Sequence, residues 1–151
     1  MKLIKARVQN YRSVYDTGEF EIEQLKTIMV GPNEAGKTVI LKALQQLNKP
    51  TDVPGFDVLR DYPRYLYNDI TTKKILPVNV TVVTGYFSLE QSDKDLIPEE
   101  FKECSYKLYK NIDNQGYHSL ENAPPKIYCK DIKNDLARLI THLDKQSLLS
   151  D

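Results

Sequence analysis

The sequence predicts an α/β domain: a mixed sheet with a loop-bearing strand and helix, antiparallel β elements and a C-terminal helix. Three observations predict it. Residues 31–38 follow the pattern G-x-x-x-x-G-K-T, between a short apolar run and a segment whose apolar residues recur at helical spacing. Several other segments alternate apolar and polar residues, as half-buried strands do. From Asp131, apolar residues again recur at helical spacing.

Three strands are predicted before the glycine-rich loop. Residues 4–9 alternate apolar with charged or polar side chains, and residues 19–23 alternate again after the turn at Asp16-Thr17-Gly18. Residues 26–30 end in an apolar run with β-branched members, which predicts the strand that carries the loop. Strands in such quick succession favour an antiparallel element beside the loop strand.

The rest of the chain is predicted from its spacing and its turn residues. The loop opens a helix that ends at Asn48-Lys49-Pro50, and residues 50–76 form a long surface connection with about one helical turn. The later elements are a strand over 78–87, a short helix near 92–95, a hairpin of strands over 106–110 and 117–120, and a helix from Asp131 with apolar residues Ile132, Leu136, Leu139, Ile140 and Leu143 on one face.

The run Gly31-Pro32-Asn33-Glu34-Ala35-Gly36-Lys37-Thr38 has the chemistry of a phosphate-binding P-loop. Gly31 and Gly36 leave room for a phosphate to approach backbone N–H groups. Lys37 supplies a charge for the β- and γ-phosphates, and Thr38 supplies a hydroxyl for Mg²⁺. The helix that follows contributes the unpaired N–H groups of its first turn. These features predict a nucleotide site.

Composition excludes some classes of protein. The 151 residues suit one domain, and 21 basic residues balance 21 acidic ones, so no net charge argues for nucleic acid or membrane. No run approaches the roughly 18 apolar residues of a membrane span. The start of the chain lacks the apolar core of a signal peptide, so a cytoplasmic location is expected. Cys104 and Cys129 lack metal-site spacing and are interpreted as free thiols.

Two groups of side chains outside the loop were weighed as functional. Tyr62, Tyr65 and Tyr67 near Arg60 and Arg64 could stack on bases or on a nucleotide, but half-buried tyrosines that anchor a loop are the favoured interpretation. The two histidines, His118 and His142, stand alone and are interpreted as surface or core residues.

Acidic partners for the loop are missing from the sequence pattern. Hydrolysis by a P-loop protein normally uses an acidic group at the end of an apolar strand to hold Mg²⁺ and to order water. No run of four apolar residues followed by Asp or Glu occurs after Thr38, and no Ser-Gly-Gly signature loop is present. The sequence therefore predicts nucleotide binding more firmly than it predicts hydrolysis.

Residues 2–13 and the loop together resemble a known group of proteins. The opening Lys2-Leu3-Ile4-Lys5-Ala6-Arg7-Val8-Gln9-Asn10-Tyr11-Arg12-Ser13, followed by a strand pair and the loop, resembles the N-terminus of RecF- and SMC-type ATPases of the ABC class. With Phe56-Asp57 and Arg60-Asp61-Tyr62-Pro63-Arg64, it is most similar to the AAA-family branch of the overcoming-lysogenisation-defect (OLD) ATPases.

The resemblance implies roles for individual residues. It implies ATP as ligand with Mg²⁺ as cofactor, Asn33 facing the γ-phosphate and Arg12 close to the nucleotide. Gln91 is the nearest candidate for the glutamine that reaches Mg²⁺ and the attacking water, and Thr38 is the other Mg²⁺ ligand. The nucleotide-binding set implied in this way is Arg12, Gly31, Asn33, Glu34, Ala35, Gly36, Lys37, Thr38 and Val39.

The expected function follows from that resemblance. Residues 1–151 are expected to be the N-terminal lobe of an ATPase in DNA-related or defence processes, in a branch that often carries a nuclease domain downstream. The expected partners are the C-terminal half or a full-length ATPase, DNA through the parent protein, and a second copy of the chain. Two alternatives stay open: a non-catalytic interaction module that pairs with a full-length ATPase, and a small P-loop kinase, for which lid arginines and an acidic strand are not found.

Overall fold

An antiparallel sheet with helices on it organises the chain. The computed structural model describes residues 1–32, 36–125 and 129–147. The strands are β1 (Lys2–Tyr11), β2 (Val14–Asp16), β3 (Phe20–Glu21), β4 (Thr81–Ser88), β5 (Ser105–Asn111) and β6 (Gly116–Glu121). The α-helices are α1 (Lys37–Gln45), α2 (Val58–Asp61), α3 (Tyr67–Thr71), α4 (Gln91–Lys94) and α5 (Cys129–Ser147).

The strand order is β2-β1-β4-β5-β6, and β3 pairs with another part of β1. Ala6 pairs with Gly85, Gly85 with Leu108, and Leu108 with His118, so these four positions share one face of the sheet. All strand pairs within the described residues are antiparallel. The predicted class, an α/β fold with antiparallel β elements and a C-terminal helix, is confirmed, whereas the parallel pairing expected of a mixed sheet is not formed among these residues.

Helix α1 packs on the β1–β4 face of the sheet. Ala43 on the helix and Val8 and Val83 on the sheet are fully buried. Gly85 permits the close approach of the turn that follows α1, because a Cβ at this position would lie 2.8 Å from Leu47 Cδ1. The core of the domain therefore lies directly beneath the P-loop helix.

The connection over residues 50–76 is more structured than predicted. It contains α2, α3 and a 3₁₀ turn at Arg64–Leu66, and Phe56 and Tyr62 belong to the core. The ring of Phe56 packs edge-on against Tyr11, with ring centroids 5.3 Å apart. The interpretation of tyrosines that anchor this segment holds for Tyr62, whereas Tyr65 is exposed.

The prediction of a strand over residues 26–30 is wrong. Residues 26–30 have no strand partner, and the side chains of Ile28 and Val30 are 68% and 91% exposed. Strand propensity does not suffice without a ladder partner, because each backbone N–H and C=O needs a hydrogen bond. The strand predicted over 19–23 is shortened to Phe20–Glu21, where it pairs with β1.

The C-terminal part of the sheet and the last helix follow the prediction. The β5–β6 hairpin and α5 form as expected, and Cys104 is a buried free thiol. The apolar side chains of Ile132, Leu136, Leu139 and Ile140 on α5 are exposed, while the side chain of Leu143 lies outside the described set. In the part of the chain that the structure describes, no helix combines the length and apolar character needed to cross a bilayer.

Candidate functional site

The P-loop helix begins at a glycine whose backbone requires glycine. Gly36 is the N-cap of α1 with a left-handed φ of 80°. A Cβ at this position would also lie 3.2 Å from Val14 Cγ2. The Ile40 N–H donates to the Gly36 carbonyl at 2.9 Å, which starts the helix. The N–H groups of the first turn precede any intrahelical acceptor and are therefore free to bind an anion.

The side chain of Lys37 folds back onto the loop that precedes α1. Its Nζ donates to the Gly31 carbonyl and, at 2.6 Å, to the Pro32 carbonyl. Among the described residues no carboxylate forms an ion pair with it. Because its hydrogen-bond partners are neutral carbonyls, the ammonium keeps a full positive charge that can pair with an entering phosphate.

A cavity of about 480 Å³ adjoins Lys37. One wall is the start of α1, through Lys37 and Ile40, and the other is the chain from the β2–β3 turn to the loop. The residues of that second wall are Thr17, Phe20, Glu21, Glu23, Thr27, Ile28, Met29 and Val30. The segment that was predicted to be the loop strand thus forms an apolar wall beside the P-loop lysine.

Arg12 is held in place by a buried aspartate. The Arg12 N–H donates to the Asp61 carbonyl at 2.7 Å, and Arg12 Nε donates to Asp61 Oδ1 at 2.9 Å. Arg60 donates to the same carboxylate, and so does the Asp57 N–H, at 2.9 Å. Asp61 is fully buried. Burial opposes its ionisation, but the hydrogen bonds from Arg60, Asp57 and Arg12 outweigh burial and lower the pKa of Asp61.

The two residues that follow Arg12 in the chain contact the start of the P-loop helix. Ser13 and Val14 are the side chains closest to the vacant Cβ position of Gly36. Arg12 also lines a second cavity, of about 300 Å³, whose cations are Arg12, Lys42 and Arg60. The guanidinium is therefore placed beside the helix that carries Lys37.

The structure brings most of the sequence-predicted residues together. Gly31, Gly36, Lys37, Thr38 and Val39 lie at the loop and in the first turn of α1. Arg12 is linked to that turn through its neighbours Ser13 and Val14, and it lines a cavity with Lys42 from a later turn of the helix. Asn33, Glu34 and Ala35 lie outside the described residues.

Gln91 lies elsewhere. It begins α4, just after Ser88, which pairs with Lys2, and its Nε2 donates to Asp95 at 2.9 Å. Gln91 does not line the P-loop cavity, and the start of the P-loop helix packs against Val14, beyond the opposite end of β1. Nine residues of strand, on the order of 30 Å, separate Lys2 from Tyr11 at that end. The structure therefore does not place Gln91 at the P-loop.

The first turn of α1 has groups that suit both ATP and Mg²⁺. The free N–H groups, Lys37 and the glycine that leaves room at position 36 suit a polyphosphate. Thr38 is exposed and supplies one hydroxyl. No group of three His, Cys, Asp or Glu side chains suited to a metal occurs within the described ranges. Mg²⁺ commonly takes only one or two protein ligands beside phosphate oxygens and water, so the donor set fits.

Sequence reasoning missed Asp61 as a partner of Arg12. The residue stands within Arg60-Asp61-Tyr62-Pro63-Arg64, whose sequence by itself indicates only the family resemblance. A pair separated by 49 positions leaves no periodic signal. The only available signal was an aspartate beside core-forming aromatic residues, since buried carboxylates are normally paired.

Comparisons with known proteins place the chain in a family. No curated protein matches it. One solved structure, concerned with ATP-driven dimerization and DNA-stimulated activation of SMC ATPases, is 14% identical, covers 83% of this chain and 73% of its own, and has a TM-score of 0.43. That score is too low to carry an argument. The AAA ATPase domain model matches residues 1–149. This chain belongs to the AAA ATPase domain family.

Proposed function

We propose that the chain binds ATP with Mg²⁺ at the first turn of α1. One observation carries the proposal: in a member of the AAA ATPase domain family, Lys37 is held by neutral loop carbonyls at the start of a helix capped by Gly36. A triphosphate would replace those carbonyls as the partner of the ammonium. Its oxygens would also accept hydrogen bonds from the free N–H groups of the helix.

The other residues of the site have distinct proposed roles. Thr38 would hold Mg²⁺ through its hydroxyl, and Arg12 would contact the nucleotide from the side of Ser13 and Val14. Asp61 is proposed as a positioning residue, since it orients Arg12 and is itself buried away from the cavity. The Arg12 guanidinium uses Nε and Nη2 on Asp61, which leaves its third nitrogen available for a ligand.

Isothermal titration calorimetry with ATP and Mg²⁺ tests the proposal. Lys37→Ala should remove measurable binding, whereas Lys42→Ala, a change on the same helix outside its first turn, should retain it. Circular dichroism of both variants checks that α1 is kept. Equal affinity of the native chain and Lys37→Ala would refute the P-loop assignment.

We propose further that hydrolysis requires a second ATPase surface. The resemblance to RecF, SMC and OLD proteins supports this, since their nucleotide is sandwiched between a P-loop lobe and a signature loop. Phosphoryl transfer depends on several positioned charges, and among the described residues Lys37 is the one cation that lines the P-loop cavity. A role in DNA-related or defence processes is proposed on the same resemblance.

A second candidate function is an interaction module that binds a full-length ATPase. The observation that favours it is the exposed apolar wall of the P-loop cavity, where Ile28 and Val30 are both exposed. Adding the chain to a full-length ATPase of this family would separate the two functions. If the Lys37→Ala variant still inhibits the full-length ATPase, the interaction module is supported. If the variant no longer inhibits it, the effect depends on nucleotide binding by this chain.

A further inference from the structure

A small cavity lies at the end of α1 remote from the P-loop. It has a volume of about 280 Å³ and is enclosed by the turn after α1 and the β5–β6 hairpin. Helix α1 has nine residues, and at 1.5 Å per residue it places this cavity about 14 Å from Lys37. The lining residues are Gln46, Leu47, Asn48, Lys49, Leu108, Lys110, Asn114 and Gly116.

Among the described residues, two lysines and no acidic residue line this cavity. Lys49 is exposed, and its Nζ donates to the Val53 carbonyl at 2.8 Å. Lys110 lies on the sheet face that packs against α1, since it pairs with the buried Val83, and its side chain is half-buried. Its Nζ is 5.9 Å from the centre of the Phe56 ring, and it has no carboxylate or hydrogen-bond acceptor among the described residues. Burial, and then repulsion from Lys49, lower the pKa of Lys110.

Gln46, which lines both this cavity and the cavity beside Arg12, contains a buried acceptor without a donor. Gln46 is 6% exposed, and its Nε2 donates to the Pro54 carbonyl at 2.9 Å. Its Oε1 has no hydrogen-bond partner among the residues described. Rotating the amide would bring two oxygens together at Pro54, so the carbonyl fixes which end of the amide is left without a partner. Buried polar atoms are normally satisfied, which makes this oxygen a marker for a bound group.

We propose that this cavity binds hydrogen phosphate. Its charged oxygens would accept from Lys49 and Lys110, and its single O–H would donate to Gln46 Oε1. Two cations alone would suit any small anion. The buried acceptor adds the requirement for a donor, which hydrogen phosphate has and sulfate at neutral pH lacks. The site is separate from the P-loop and goes beyond the proposed ATP binding.

Two-dimensional ¹H–¹⁵N NMR of the chain carrying Lys37→Ala tests the site, because that change removes phosphate binding at the P-loop. The Gly116 amide reports on the cavity, and the Thr38 amide reports on the P-loop. Inorganic phosphate should shift the Gly116 signal saturably, with a Kd of about 1 mM. Lys110→Met should weaken this binding at least about tenfold, which corresponds to the loss of one charged partner.

Lys107→Met is the matched control. Lys107 lies on the same strand but on the opposite face, and it pairs with Glu121 at 3.6 Å. Its removal should leave the phosphate shift at Gly116 unchanged. Equal losses in Lys107→Met and Lys110→Met would show a general charge effect and would overturn the proposal, as would the absence of any saturable shift.

Sulfate supplies the sharper comparison. The native cavity should bind sulfate at least about tenfold more weakly than phosphate, and Gln46→Met should abolish that preference, because the acceptor is gone. Equal binding of the two anions by the native cavity would refute the role of Gln46. If Gln46→Met does not fold, phosphate and sulfate binding are compared in Lys110→Met. The preference for phosphate should persist there because Gln46 is intact, and its loss would refute the role of Gln46. Ribose 5-phosphate, whose phosphate group is mostly a dianion without an O–H at neutral pH, should bind as weakly as sulfate, and binding as tight as that of free phosphate would refute the role of Gln46.

Discussion

Arg12 and Asp61 are joined twice, by a backbone and a side-chain hydrogen bond, across 49 positions of sequence. Arg12 has a left-handed φ of 53°, a conformation that non-glycine residues adopt at some cost. The two bonds to Asp61 hold that conformation. The pair thus ties the end of β1, next to the P-loop helix, to α2, and it makes a fold contact part of the candidate nucleotide site.

Asp61→Asn should destabilise the domain by about 2 kcal/mol, because charged hydrogen bonds from Arg12 and Arg60 are lost at a fully buried position. Urea unfolding measures the change. Asp69→Asn, which removes an exposed pair with Lys74, should cost less than about 1 kcal/mol. ATP affinity should also fall in Asp61→Asn and not in Asp69→Asn. Equal losses of stability in the two variants would contradict the account.

Asp16 gives a prediction for acid pH. Hydrogen bonds from Arg7 hold the pKa of Asp16 at about 2. The unfolded value is about 3.9, so the stabilisation is complete above that pH and is lost as the pH falls through about 2. Asp16→Asn should flatten the fall in stability over this range, as measured by urea unfolding at stepped pH. Arg7→Met should have the same effect and add little to Asp16→Asn, and additive effects would exclude this pair as the cause.

Gly36 and Gly18 form a matched pair for testing the loop. Both have a left-handed φ, of 80° and 64°, but only Gly36 has a side chain, Val14, close to its vacant Cβ position. Gly18→Ala should cost about 1 kcal/mol through backbone strain alone. Gly36→Ala should cost more and should also weaken ATP binding, because relief of the contact displaces the first turn of α1. Thermal unfolding and calorimetry measure the two effects, and unchanged ATP affinity in a folded Gly36→Ala would contradict the role of this turn.

Local chemistry was enough to predict several parts of the molecule. The β5–β6 hairpin follows from alternating residues around Asp113-Asn114-Gln115-Gly116, and α1 follows from helical spacing after Gly36. Both signals are contained within a few residues, so no distant contact is needed to read them. The grouping of Gly31, Lys37 and Thr38 was predictable for the same reason.

Contacts between distant segments were not predictable in this way. Val30 has strand propensity, yet no described segment lies beside it to complete a ladder. Gln91 was chosen by its residue type, but the pairing of Lys2 with Ser88 puts it at the other end of β1. The partnership of Arg12 with Asp61 likewise depends on tertiary packing, which single-sequence patterns do not encode.

The exposed apolar side of α5 leads to the last prediction. Ile132, Leu136, Leu139 and Ile140 lie on one side of the helix and are exposed. Burying such a stripe releases about 25 cal/mol per Å² of apolar surface, and zero net charge does not oppose contact between copies. We therefore expect the chain to self-associate at micromolar concentration without ATP. Static light scattering with and without ATP and Mg²⁺ measures this.

Substitutions on α5 locate the contact. Leu136→Lys combined with Ile140→Lys should lower the scattering mass toward that of a monomer, because a buried ammonium without a partner opposes association. Asn134→Lys adds a charge to an exposed polar position of the same helix and should leave the mass unchanged. A chain that is monomeric without nucleotide and dimeric with it would contradict this prediction, and would instead indicate that ATP itself bridges two copies at the P-loop.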